Sequence, residues 1–225
     1  MDTVWSDADE RLPRGWPAAD AAWLDRLDRW LNQAAAGALL VLLSPALAAI
    51  AACVCASSGA PVLFGHYRVT QSGKLFRCLK FRSMYADADA LLARLLESDP
   101  AARAEWERDQ KLTDDPRITP IGRLLRRTSL DELPQLFNVL RGEMRLVGPR
   151  PVTVGELARY GSVRWQYFRV LPGMTGLWQV SGRNNTTYEE RVELDRRYVE
   201  ARSPWLDLKI LLRTVKVVLL RDGAK

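Results

Sequence analysis

Histidine and cysteine are scarce in this chain: one histidine, His66, and three cysteines stand among 225 residues. Cys53 and Cys55 lie in an apolar run and Cys78 in a basic segment, a count and spacing that build no disulfide framework. No cysteine has metal-ligand spacing with the lone histidine, which also argues against a Cys–His nucleophile. Reduced thiols in a protein facing the cytosol are the simplest reading. RNA-binding aromatic signatures, zinc-finger spacing and helix-turn-helix patterns are missing too, so nucleic acid is not an expected partner. The longest absence is of charge: residues 34 to 64, AAAGALLVLLSPALAAIAACVCASSGAPVLF, carry none.

Elsewhere charge is plentiful and its balance basic, +6 overall. Such a balance suits an anionic membrane surface, phosphorylated small molecules or nucleic acid. Eight tryptophans favour the membrane, because indole rings settle at headgroup depth. At 48% hydrophobic the chain can bury a core, as one large domain or two small ones.

Residues 1 to 15 read as a mobile polar tail. Pro17 can then open a helix, in which Trp16, Trp23 and Trp30 recur every seven residues with Leu24, Leu27 and Leu31 beside them. That pattern predicts an amphipathic helix at a lipid interface, or a soluble helix packing its rings into a core. The 27 residues from Ala34 to Ala60 would reach roughly 40 Å as a helix, enough to cross a bilayer core of about 30 Å. They begin too far from the N-terminus for a cleaved signal peptide. Ser44-Pro45 interrupts the run, since proline lacks a backbone donor and clashes with the preceding turn. Arg26 and Arg29 precede the run, and Arg68 and Lys74 follow it. A hairpin entering and leaving on the cytoplasmic face satisfies both flanks, whereas a single crossing does not. The expectation is a re-entrant helix-break-helix anchor, with the Ser44 hydroxyl taking up a freed carbonyl. A tilted, proline-kinked span is the alternative.

Residues 62 to 85 predict a two-stranded hairpin turning at Gln71-Ser72-Gly73 and closed by Lys80, Phe81 and Arg82. Residues 86 to 111 predict a helix with Leu91, Leu92, Leu95 and Leu96 on one face, interrupted by Pro100. Thr119 and Pro120 read as N-cap and first residue of a basic helix, 120 to 128. A short helix near Glu156 and turns at Gly173, Gly176 and Gly182 around a strand follow. A charged helix over 187 to 202 and a last helix from Trp205 to Leu220 complete the chain. Lys209, Arg213 and Lys216 share a face of that last helix, which suits an anionic membrane or a core with one wet edge. The fold class is α/β: mostly helical, with a small β-hairpin or sheet. Residues 1–15 form the tail, 16–64 the interfacial helix and membrane hairpin, and 65–225 a compact cytosolic domain.

The chemistry concentrates in residues 119 to 151, TPIGRLLRRTSLDELPQLFNVLRGEMRLVGPRP. Arg123, Arg126 and Arg127 precede the acid pair Asp131-Glu132, and Gly-Pro-Arg-Pro ends the stretch at Pro151. Cations on both sides of two carboxylates suit a phosphorylated, metal-bearing ligand. Aspartate can attack a phosphoryl centre, and a neighbouring glutamate can hold Mg²⁺ with substrate phosphates. The competing reading is a capping box, Ser129-x-x-Glu132, at the start of a helix from about Pro134 to Leu140. A carboxylate there would be kept ionised by exposed amides and the helix dipole.

KFRSM at 80–84, RRTSLDELPQLFNVLRGEMRLVGPRP at 126–151, PGMTGLWQVSGRN at 172–184 and the terminal LRDGA resemble the bacterial sugar transferases. These are monotopic polyprenyl-phosphate phosphoglycosyl transferases, and the match runs from about residue 30 to the end. The resemblance implies transfer of a hexose 1-phosphate from a UDP-sugar, with UDP-glucose or UDP-galactose favoured by the Trp178 motif, to undecaprenyl phosphate. UMP leaves in a ping-pong cycle through a phosphosugar ester on Asp131. It implies Glu132 as ligand of Mg²⁺, and Lys80, Arg82, Arg126, Arg150, Pro151 and Arg183 as substrate-binding residues. Ser44-Pro45 falls at the family's helix break. The implied setting is the cytoplasmic face of a bacterial inner membrane, at the first membrane step of exopolysaccharide, capsule or O-antigen assembly. A homodimer and downstream glycosyltransferases are the protein partners it allows. His66-Tyr67-Arg68 and Thr70 depart from the family pattern, and the short tail suggests a minimal catalytic form. The rival class is a catalytically silent, membrane-tethered module that recruits glycan-assembly proteins.

Overall fold

The computed structural model describes residues 22–109, 112–182 and 186–220. The tail at 1–15, Trp16, Pro17, Arg183 and all but the first residue of LRDGA therefore lie outside the described residues.

The apolar run and the amphipathic segment before it are one helix, α1 (Ala22–Ser58), with Pro45 inside it. This corrects the expected helix-break-helix: no break separates two helices. Pro45 has no N–H for the Val41 carbonyl, and Ser44 Oγ donates to that carbonyl at 2.8 Å instead. One face of α1 lies on the remainder of the protein along its length. Ala36, Leu39, Leu40 and Leu43 pack against Phe76, Leu136, Val139 and Met144. Further on, Leu47, Ile50, Ala51 and Val54 pack against Phe81, Ile121, Leu125 and Leu133. Steps of three and four residues keep these side chains on one side. The other side is apolar and bare, with Trp30, Leu31, Val41 and Leu42 between 61% and 76% exposed. Among the described residues α1 is the one helix long and apolar enough to cross a membrane.

Both ends of α1 are fastened to the same domain. At its start, Asp28 accepts from Arg145 (Nη2 to Oδ1, 2.7 Å) and from Arg202 at 3.1 Å. At its end, Arg82 Nη2 donates to the Ser58 carbonyl at 2.7 Å and also to that of Gly59.

The hairpin forms as expected. β1 (Leu63–Val69) and β2 (Leu75–Phe81) pair antiparallel, with Gly73 taking a φ of 76° in the turn. Pro100 opens a second helix, so α2 (Ala88–Ser98) and α3 (Pro100–Asp109) replace one interrupted helix. α4 (Pro120–Thr128) starts on its Thr119 cap, whose hydroxyl accepts from Gly122 N at 2.9 Å. α5 (Gln135–Leu140) follows, and β3 (Arg145–Val147) then pairs in parallel with β4 (Gly173–Thr175), a sheet not anticipated from sequence. The backbones meet closely there: a Cβ on Gly173 would lie 2.0 Å from the Gly148 nitrogen. Short helices α6 (Val154–Ala158) and α7 (Arg164–Tyr167) and long helices α8 (Tyr188–Ala201) and α9 (Pro204–Leu220) complete the order.

α9 packs one side into the core and leaves apolar residues exposed on the other. Ile210 and Leu206 pack inward with Tyr198 and Val170, while Trp205, Leu208, Leu212 and Val215 are exposed beside Lys209. The described architecture is mostly helical, with two small two-stranded sheets.

Candidate active site

The α4–α5 connection places the acid pair. Ser129 ends α4 in the left-handed region (φ 58°), unusual for a residue other than glycine, and redirects the chain into a 3-10 turn, Leu130–Glu132. Pro134 follows and α5 begins. The capping box does not form: Ser129 makes no side-chain cap bond to this turn, and Glu132 Oε1 instead accepts from Lys80 Nζ at 2.6 Å. Asp131 Oδ2 lies 3.8 Å from the same ammonium.

Lys80 arrives on β2, and the residues after it bind that strand to α4. The Ser83 carbonyl accepts from Thr119 N at 3.0 Å, and Ser83 Oγ accepts from Arg126 Nε at 2.8 Å. A Cβ at Gly122 would fall 2.0 Å from the Ser83 oxygen, so only glycine lets the first turn of α4 come this close. The KFRS segment, α4 and the acid pair are thereby one unit.

They surround a cavity of about 230 Å³. Lys80, Arg126, Asp131, Glu132, Arg150 and Pro151 all line it, so six residues expected from sequence converge. Arg82 stands outside this lining and bonds the end of α1. Arg123 and Arg127 are exposed and stand outside the lining. Arg68, Gln135, Trp178 and Gln179 also line the cavity and were not among the expected site residues. Gln135 had a local signal, four positions beyond Asp131 at the opening of α5. Arg68 had none, because its place depends on the hairpin register and on Glu156, which accepts its Nη1 donor at 2.6 Å.

Arg150 lies with its guanidinium 5.5 Å from the centre of the Trp178 ring, and Arg191 stacks on the same ring at 4.9 Å. The indole N–H and the Gln179 side-chain carbonyl are buried without a partner among the described residues.

Charge in the lining is unbalanced, four cations (Arg68, Lys80, Arg126, Arg150) against two carboxylates. Such a wall attracts a polyanion. Burial pushes the Asp131 pKa up to about 6, overcoming the pull of Lys80, while the Glu132 charge adds to the rise. At neutral pH the carboxyl is still mostly ionised, as expected from sequence. Burial disfavours the Lys80 charge, yet the Glu132 and Asp131 carboxylates outweigh it and raise the pKa. The Cys78 thiol at the cavity floor is raised to about 11 by burial and stays neutral. As metal donors the site offers two carboxylates; among the described residues no group of three or more His, Cys, Asp or Glu side chains converges. Oxygen donors without thiolate or imidazole suit a hard cation that completes its shell from substrate phosphates.

The sequence profile described as "Bacterial sugar transferase" matches residues 23–221. The chain belongs to the bacterial sugar transferase family. Relatives include the "UDP-galactose-lipid carrier transferase" of Erwinia amylovora, 54% identical over 198 residues, 88% of this chain and 41% of that protein. The "Undecaprenyl-phosphate galactose phosphotransferase" of Salmonella typhimurium (strain LT2) is 58% identical over 166 residues, 74% of this chain and 35% of that protein. This chain thus spans about two fifths of the length of these family members or less. The "Exopolysaccharide production protein ExoY" of Rhizobium meliloti (strain 1021) is of similar size, 46% identical over 84% of each chain.

Proposed function

We propose that the protein transfers a hexose 1-phosphate from a UDP-sugar, UDP-galactose or UDP-glucose, to undecaprenyl phosphate and releases UMP. The observation that carries this reading is the buried Asp131 carboxylate beside Lys80, in a cavity where four cations outnumber the two carboxylates. The relatives' names, which include galactose and glucose transfer to undecaprenyl phosphate or a lipid carrier, support the substrate class.

In the proposed reaction an Asp131 oxygen attacks the sugar-linked phosphorus, and the bond to the UMP oxygen breaks. A lipid phosphate oxygen then attacks the phosphosugar ester and frees the carboxylate. Lys80, Arg126 and Arg150 balance the phosphate charges, and fixed cations of this kind stabilise charge developing at transferring phosphoryl groups. Glu132 would hold Mg²⁺ with substrate oxygens, and the bound ion would supply further neutralisation of the diphosphate. The bare apolar side of α1, with Trp23 and Trp30, would lie in the cytoplasmic leaflet of the bacterial inner membrane, where α9 adds a basic and aliphatic surface. The cavity would then serve a lipid phosphate at headgroup depth and a nucleotide sugar from the cytosol.

The test is transfer of radiolabel from a panel of UDP-sugars to undecaprenyl phosphate by the purified protein, with and without Mg²⁺. Transfer by the wild type and its loss in Asp131→Asn are expected. No transfer from any UDP-sugar would instead favour a recruitment module.

A further inference from the structure

We propose that Asn138 is a positioning residue, holding Lys80 against the acid pair. The inference rests on the proposed reaction only for its activity readout; its geometry stands apart. Asn138 is fully buried on α5, and every polar atom of its side chain is engaged. Its Oδ1 accepts from Leu79 N at 2.9 Å, and its Nδ2 donates to the Arg77 carbonyl at 2.8 Å and to Glu143 Oε2 at 2.6 Å.

The two backbone ties flank Cys78 on β2, and Lys80 follows Leu79 directly. β1 holds the other side of this strand. The same helix that begins just after Asp131-Glu132 therefore grips the strand that delivers the ammonium. A long, flexible lysine makes a 2.6 Å bond to Glu132 and sits 3.8 Å from Asp131 only while its Cα stays fixed relative to both. Electrostatic stabilisation depends on that preorganisation. Without Asn138, the Leu79 N–H and Arg77 carbonyl lose their partners in the core, and β2 must shift to find others.

Single-turnover UMP release and chemical labelling of Lys80 together test the assignment. Asn138→Ala should slow UMP release at least 30-fold while KM for the UDP-sugar stays within threefold. In a Lys80→Ala background the same substitution should change the rate less than threefold, because the group it positions is gone. Acylation of Lys80 by acetic anhydride, followed by mass spectrometry, should quicken at least threefold in Asn138→Ala. Should Asn138→Ala not fold, Glu143→Ala loosens the same amide from outside β2, and smaller effects of the same pattern are expected. An equal rate loss with and without Lys80, or unchanged Lys80 labelling, would overturn the proposal. A wild type that releases no UMP would refute the reaction, and the labelling comparison would still decide the role of Asn138.

Discussion

The Ser44 hydroxyl donates to the carbonyl of Val41, the acceptor that Pro45 leaves without its helical donor. In water that carbonyl could be solvated, whereas in hydrocarbon an unpaired one is costly. Ser44→Ala should therefore destabilise the protein by ~1–2 kcal/mol in lipid nanodiscs and much less in a well-hydrated micelle. Pro45→Ala restores the helical donor, so the double variant should lose less than Ser44→Ala alone. Thermal unfolding of the three variants in both environments provides the comparison.

Arg82 separates a structural role from a binding one. Its donors cover the carbonyls of Ser58, Gly59 and Ala60 at the end of α1. Arg82→Ala should cost ~1–3 kcal/mol of stability, the range for hydrogen bonds from a charged donor. KM for the UDP-sugar should change less than twofold. A large rise in KM with unchanged melting temperature would return Arg82 to the substrate site.

Arg145 is buried between Asp28 on α1 and Asp207 on α9, at 3.2 Å from the latter. Its removal leaves Asp28 and Asp207 without the cation between them, with Arg202 bonded to Asp28 at 3.1 Å. Arg145→Ala should destabilise by about 3–5 kcal/mol, as expected for breaking a buried pair by deleting one partner. Limited proteolysis should then cut between α1 and the domain before any other site opens.

Asp195 gives a pH dependence. It is buried, accepts from Tyr160 at 2.8 Å, and its pKa is pushed up to about 7 by burial, against the pull of that hydroxyl and of Arg150. A carboxyl whose pKa is raised by folding favours the folded state while protonated. That contribution is full below the ordinary carboxyl range and is lost as pH rises through about 7. Between pH 5 and pH 8 the protein should lose about 2–3 kcal/mol from this group. Asp195→Asn should flatten the trend in denaturation curves, and a wild-type curve already flat would contradict it.

Local signals were legible and distant ones were not. Thr119-Pro120 specified the start of α4 because a cap and its helix are neighbours in sequence. The turn at Gly73 was equally local. The acid pair, Lys80 and Arg150 were recognisable as motifs, and the cavity then united them. Asn138, however, meets β2 some 60 residues away, and Arg145 meets Asp28 117 residues away. Neither partner is implied by anything beside it in the chain. The β3–β4 pair was hidden because three-residue strands carry almost no periodicity. Arg82's bonds to the end of α1 were not legible, because a basic residue inside a motif looks the same whether it binds ligand or caps a helix.

The two clamps on α1 bear on how the protein would meet a membrane. Asp28 and Ser58, one near each end of the helix, are both held by the domain that carries the cavity. For a bilayer placed against the bare side of α1, neither of these held ends would have to be carried through hydrocarbon, a step that costs several kcal/mol per charge. Insertion reduces to pressing an already folded surface into one leaflet. On that reading, the docking of α1 on the domain would come before its contact with lipid.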